Sequence, residues 1–95
     1  MEYQKKLDAV KEYLRLEFPD CEIEDQYDSR MDGQRYKIQC DSRTYSLLIK
    51  TEFLEHFDIT ALPVQLTRFT LVEHLKELPD TPIIVGNSGL SIDYD

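Results

Sequence analysis

Between residues 2 and 18, Tyr3, Leu7, Val10, Leu14 and Phe18 recur at three- and four-residue steps, with Lys5, Asp8, Glu12 and Arg15 among the positions between them. That spacing predicts an amphipathic helix. Pro19 disfavours helical geometry at the residue before it, so the helix is expected to stop near Phe18. From Cys21 to Asp28 the period drops to two: Cys21, Ile23 and Tyr27 lie on one side and Glu22, Glu24, Gln26 and Asp28 on the other. Asp25 breaks the apolar side of this half-buried strand. Asp32-Gly33 marks a turn into a second strand, where Tyr36, Ile38 and Cys40 alternate with Arg35, Lys37 and Gln39.

Pairing the two apolar faces in a hairpin can set Asp28 against Arg35 and Gln26 beside Lys37, so that the acidic outer face of one strand meets the basic face of the next. Asp41-Ser42 then turns the chain into a third strand with Tyr45, Leu47 and Ile49 inward and Thr44, Ser46 and Leu48 outward, which completes a meander. Thr51 is placed to cap a short helix, Glu52 to Phe57. From Asp58 to Phe69, Thr60 is placed to cap a helix with Pro63 in its first turn, while Val64 to Thr70 also alternates weakly like a strand; an irregular or helical connector is expected. Thr70-Leu71-Val72-Glu73 has the form of a capping box, so Thr70→Ala is expected to cost about 1 kcal/mol. Leu71, Val72, Leu75 and Leu78 supply that helix's buried stripe and Pro79 ends it. Ile83, Ile84 and Val85 form a short strand, and Gly86-Asn87-Ser88-Gly89 turns it into Leu90, Ile92 and Tyr94.

These elements predict an α+β fold for residues 1–95 as a single domain. The expected form is a two-layer sandwich of a mainly antiparallel sheet, three-stranded meander plus C-terminal hairpin, with helices packed on one face. The resulting order of helix, three strands, helix, two strands in a small acidic protein resembles part of a type III secretion chaperone domain, which implies partner binding. The helix, three strands, helix portion is also similar to double-stranded RNA binding domains.

Charge decides between those implications. Nineteen acidic against eleven basic residues leave a net charge of −8, which repels phosphate backbones and anionic lipid headgroups, so neither nucleic acid nor membrane is expected as a direct partner. No apolar run approaches the roughly 18 residues of a membrane span, and Met1-Glu2-Tyr3-Gln4-Lys5-Lys6 lacks a signal peptide's apolar segment. The expected setting is therefore cytoplasmic, and Cys21 and Cys40, too few for a disulfide framework and not in a Cys-x-x-Cys pair, are expected to be reduced and core-facing.

Signatures of chemistry fail at needed residues. Asp28-Ser29-Arg30-Met31-Asp32-Gly33 has the glycine of a calcium loop, but Arg30 takes a ligand position and Gln39 stands where the closing Glu belongs. Cys21, Cys40, His56 and His74 are too far apart in sequence for the paired ligand spacing of a Cys₂His₂ zinc site. Gly86-Asn87-Ser88-Gly89 is no nucleophile elbow, because Leu90 replaces the second glycine. Catalytic, cofactor and metal residues are therefore expected to be none, and an enzyme is not expected.

The strongest local bias is acidic: Glu17, Asp20, Glu22, Glu24, Asp25, Asp28 and Asp32 fall within sixteen positions with Arg30 the only cation. Such charges keep an edge strand soluble. They also suit a docking strip for a protein with a basic surface, built from Glu22, Glu24, Asp25 and Asp28. The expected function is thus a small acidic protein-interaction or regulatory module. The alternatives are an acidic inhibitor mimicking nucleic acid, in which Gln26 interrupts the row of charges and Arg35 and Lys37 offset it, and a secretion-chaperone-like partner binder.

Overall fold

The first helix, α1 (Glu2–Glu17), buries Leu7, Val10 and Leu14 along its apolar stripe. The Phe18 amide still donates to the Leu14 carbonyl at 2.8 Å, and Pro19 stops the helix there. The computed structural model describes residues 2–79 and 81–92. Three strands follow, β1 (Glu22–Asp28), β2 (Gly33–Gln39) and β3 (Thr44–Lys50), then α2 (Thr51–His56), α3 (Ala61–Arg68) and α4 (Leu71–Glu77), and finally β4 (Ile83–Gly86) and β5 (Gly89–Ile92). The content is mixed α+β: among the described residues there are four helices and one five-stranded sheet in the order β1-β2-β3-β4-β5. Neighbours are antiparallel except β3 and β4, whose parallel pairing needs the long crossover that the three middle helices provide. Tyr94, expected in the last strand, lies outside the described residues.

One core joins all four helices to alternate strand residues, among them Tyr36, Ile38, Leu47, Ile49, Ile83 and Val85, with Phe53, Leu54, Leu62, Leu66, Leu71 and Leu75 from the helices. Tyr36 ties α1 to the sheet, donating its buried hydroxyl to the Leu7 carbonyl at 3.0 Å, and burial pushes its phenol far up from the ordinary value. Leu48 has the opposite parity and stands outside that core, yet only 1% of it is exposed. It lies between Arg35 and Ile84 in the register.

The hairpin register corrects the expected one by two residues. Gln26, not Asp28, lies opposite Arg35, and Glu24 opposite Lys37. Asp28 reaches Arg35 diagonally, with Nη2 to Oδ2 at 2.9 Å. A two-residue slip leaves every side chain on its own face, so the alternation that predicted the hairpin is equally satisfied by either pairing. The observed register brings Cys21 and Cys40 together at the open end of the hairpin, with Cα atoms 4.5 Å apart, and they form a disulfide. The expectation of two reduced cysteines is therefore wrong.

Helix starts differ from expectation as well. Thr51 Oγ1 donates to Asp32 Oδ1 at 3.0 Å instead of capping α2. At α3 the cap belongs to Asp58, whose Oδ1 accepts from the amides of Thr60 and Ala61 at 3.1 and 2.8 Å, while Thr60 makes no side-chain cap bond. The Ala61 amide and the Thr60 hydroxyl hold the Asp58 carboxyl below its ordinary value. Thr70 precedes α4 in a left-handed conformation, φ 52°, and its hydroxyl donates to the Phe69 carbonyl, so the expected capping box does not form. The left-handed basin is costly for a β-branched residue. Thr70→Gly is accordingly expected to stabilise the protein by about 1 kcal/mol, the strain removed less the greater freedom of the unfolded chain. Urea unfolding checks this, and a lowered midpoint would show that the hydroxyl's contacts outweigh the backbone strain.

Candidate functional site

The four acids of the predicted docking strip all lie on β1, an end strand of the sheet, but they do not form one row. Strand alternation sends Glu22, Glu24 and Asp28 to one face and Asp25 to the other. Glu22 and Glu24 are exposed, and neither joins an ion pair among the described residues. Asp25 is half-buried beneath α1. Its Oδ1 accepts from Lys11 Nζ at 3.0 Å and its Oδ2 from Gln34 Nε2 at 2.7 Å. Desolvation works to raise this carboxyl, but the bonds from Lys11 and Gln34 outweigh it and hold it below the ordinary value.

Asp28 is committed too. One oxygen pairs with Arg35 and the other accepts from the amides of Arg30 and Met31 at 3.0 and 3.2 Å, closing the connection between β1 and β2. The Arg35 guanidinium, then the Met31 amide, hold its carboxyl down. Asp32, φ 51°, completes the turn with its Oδ1 accepting from the hydroxyls of Tyr27 at 2.8 Å and Thr51 at 3.0 Å. The carboxylates that resembled calcium ligands are thus engaged in holding the hairpin.

Lys11 and Gln34 are the residues that sequence reasoning missed. The signal was Asp25 on an apolar face, which called for a partner without naming it. A groove of about 480 Å³ runs along β1 and includes Lys11, Ile23, Glu24, Arg35 and Lys37 in its lining. A second, of about 420 Å³, is lined by His74, Leu78, Ile83, Leu90, Ser91 and Ile92 at the other end of the sheet.

The four residues weighed as a zinc set are dispersed in role: Cys21 and Cys40 are bonded to each other, and His56 and His74 are exposed on α2 and α4. His74 Nδ1 lies 2.8 Å from the Thr70 carbonyl oxygen, which can only accept, so that nitrogen carries the proton. Among the described residues no group of three or more His, Cys, Asp or Glu is placed to hold a metal ion, and no helix is long and apolar enough to cross a membrane. No family model, curated protein or solved structure matches the chain.

Proposed function

We propose that residues 1–95 form a single interaction or regulatory domain, not an enzyme, which docks a basic protein surface against β1. The supporting observation is the division among its acids. Asp25 and Asp28 hold the strand in place through Lys11, Gln34 and Arg35, while Glu22 and Glu24 stay exposed and outside any ion pair among the described residues. Because the core gathers every helix with strand residues of one parity, the proposed arrangement is a two-layer sandwich with helices on one face. Glu22 and Glu24 then stand on the open face.

A nucleic-acid mimic needs a continuous acidic row, and here Gln26 lies opposite Arg35 and Glu24 opposite Lys37. The alternation of sign across the strands favours a protein partner. Cys21 and Cys40 are joined, a bond that oxidising compartments favour, and the proposal is made for the oxidised protein.

Exposed charges act mainly on association rate. Association with a basic partner isolated by pull-down is expected to slow about tenfold as salt rises from low to physiological and the screening length shrinks to about 8 Å. Glu22→Lys with Glu24→Lys should weaken binding while leaving the unfolding midpoint nearly unchanged. A salt-independent rate that ignores both reversals would assign these residues to solubility alone.

A further inference from the structure

The backbone of β1 is the remaining unused feature of this site. In an antiparallel ladder, residue pairs alternate between exchanging both backbone bonds and standing unbonded at close approach, with Cα atoms about 4.5 Å apart. Cys21 and Cys40, the next pair beyond Glu22 and Gln39, stand 4.5 Å apart. The Cys40 amide is already committed to the Arg43 carbonyl at 2.8 Å, on the β3 side. Both observations put Cys21 in the unbonded class, and Ile23, Asp25 and Tyr27 share its parity. Their amides and carbonyls therefore point away from β2. Among the described residues no strand lies beyond β1; the Cys21 amide donates to the Phe18 carbonyl at 3.2 Å, and no turn or loop bond engages the backbone groups of Ile23, Asp25 and Tyr27.

We propose that β1 takes an extended segment of a basic partner as a sixth strand, a mode that rests on the proposed docking function for the partner's charge but not for the edge itself. Seven residues of edge are available here, against four on β5 at the other end of the sheet. A second copy of this chain pairing through β1 would bring its own Glu22 and Glu24 to that edge, and like charges across strands are destabilising. A cationic segment gains where a copy loses. Its residues opposite Glu22 and Glu24 would occupy unbonded positions, where facing side chains are closest. The residue between them would lie beside half-buried Ile23, which favours an apolar side chain. The recognised pattern is cation, apolar, cation, with the apolar residue's amide and carbonyl bonding to Ile23.

The test uses a capped peptide of alternating lysine and valine, added to the oxidised full chain and followed by amide exchange and by titration. Near saturation, exchange at Ile23, Asp25 and Tyr27 should slow about tenfold, while Glu24 and Gln26, already bonded to β2, change less. N-methylating the valines removes the donors aimed at β1 and should weaken binding about tenfold or more, while N-methylating the lysines should not. No binding, or equal affinity for all three peptides without protection of those amides, overturns strand addition. If Glu22→Lys with Glu24→Lys still weakens that unprotected binding, the acidic docking surface survives without it. If binding needs the valine amides but ignores both reversals, strand addition stands and the acidic reading falls.

Discussion

Reducing the Cys21–Cys40 bond is expected to lower the unfolding free energy by about 3 kcal/mol, the loop-closure term for cysteines 19 positions apart. The bond ties β1 to β2 at the end of the hairpin farthest from its turn, where a loose edge strand would otherwise fray. Urea unfolding with and without a dithiol reductant measures the difference, and Cys21→Ser with Cys40→Ser should reproduce the reduced protein. Thiol counting on unfolded, unreduced chain should find none. Coincident unfolding curves would show that the Lys11–Asp25 and Arg35–Asp28 pairs and the ladder hold β1 unaided.

Gly33→Ala should cost about 2 kcal/mol, a typical penalty for forcing an atom into a filled site. A Cβ there would lie 2.7 Å from the Ile49 carbonyl oxygen and 3.2 Å from Leu48 Cγ. The backbone oxygen cannot turn aside as a long side chain would, because it belongs to the neighbouring strand. The sign of the result is informative. If Gly33 were only a flexible residue at a strand's start, alanine would stabilise by restricting the unfolded chain. A raised midpoint in urea would mean that β2 and β3 separate at this end more readily than their close approach implies.

Element order was legible because its signals are local. Pro19 after a helical stripe fixes where α1 stops, and strand alternation over Tyr45, Leu47 and Ile49 is satisfied by β3. Hairpin register was not legible, since a two-residue slip keeps the same faces together. That slip also hid the disulfide: in the expected pairing Ile23, rather than Cys21, stands opposite Cys40. The threonine before α4 misled for a different reason. Only Phe69 and Thr70 separate α3 from α4, and a link that short turns the chain through a left-handed residue, which removes the geometry a capping hydroxyl needs.

At the candidate site, the acidic bias and the parity of Glu22 and Glu24 were readable, whereas the fates of Asp25 and Asp28 were only partly so. Lys11 reaches Asp25 because of how α1 lies across the sheet, and a helical stripe specifies which side is buried without giving the angle of docking. Arg35 was seen as a counter-charge to Asp28, but in a direct pairing instead of the observed diagonal. The acids that the fold consumes are thus those whose partners come from another element or another register.

The parallel join between β3 and β4 also has a consequence for the order of assembly. β1, β2 and β3 pair with near neighbours in sequence, so their contacts close short loops, but Leu47 meets Ile83 only after three helices have been laid between them. The meander is therefore expected to form first and the terminal hairpin to dock last. Until it does, the edge of β3 carrying Leu47, Leu48 and Ile49 stands open, and unlike β1 it has no acidic residue along its length to deter pairing with another chain. During synthesis that interval is expected to last at least until the ribosome has delivered β4, and mispairing in that time is expected at the apolar β3 edge.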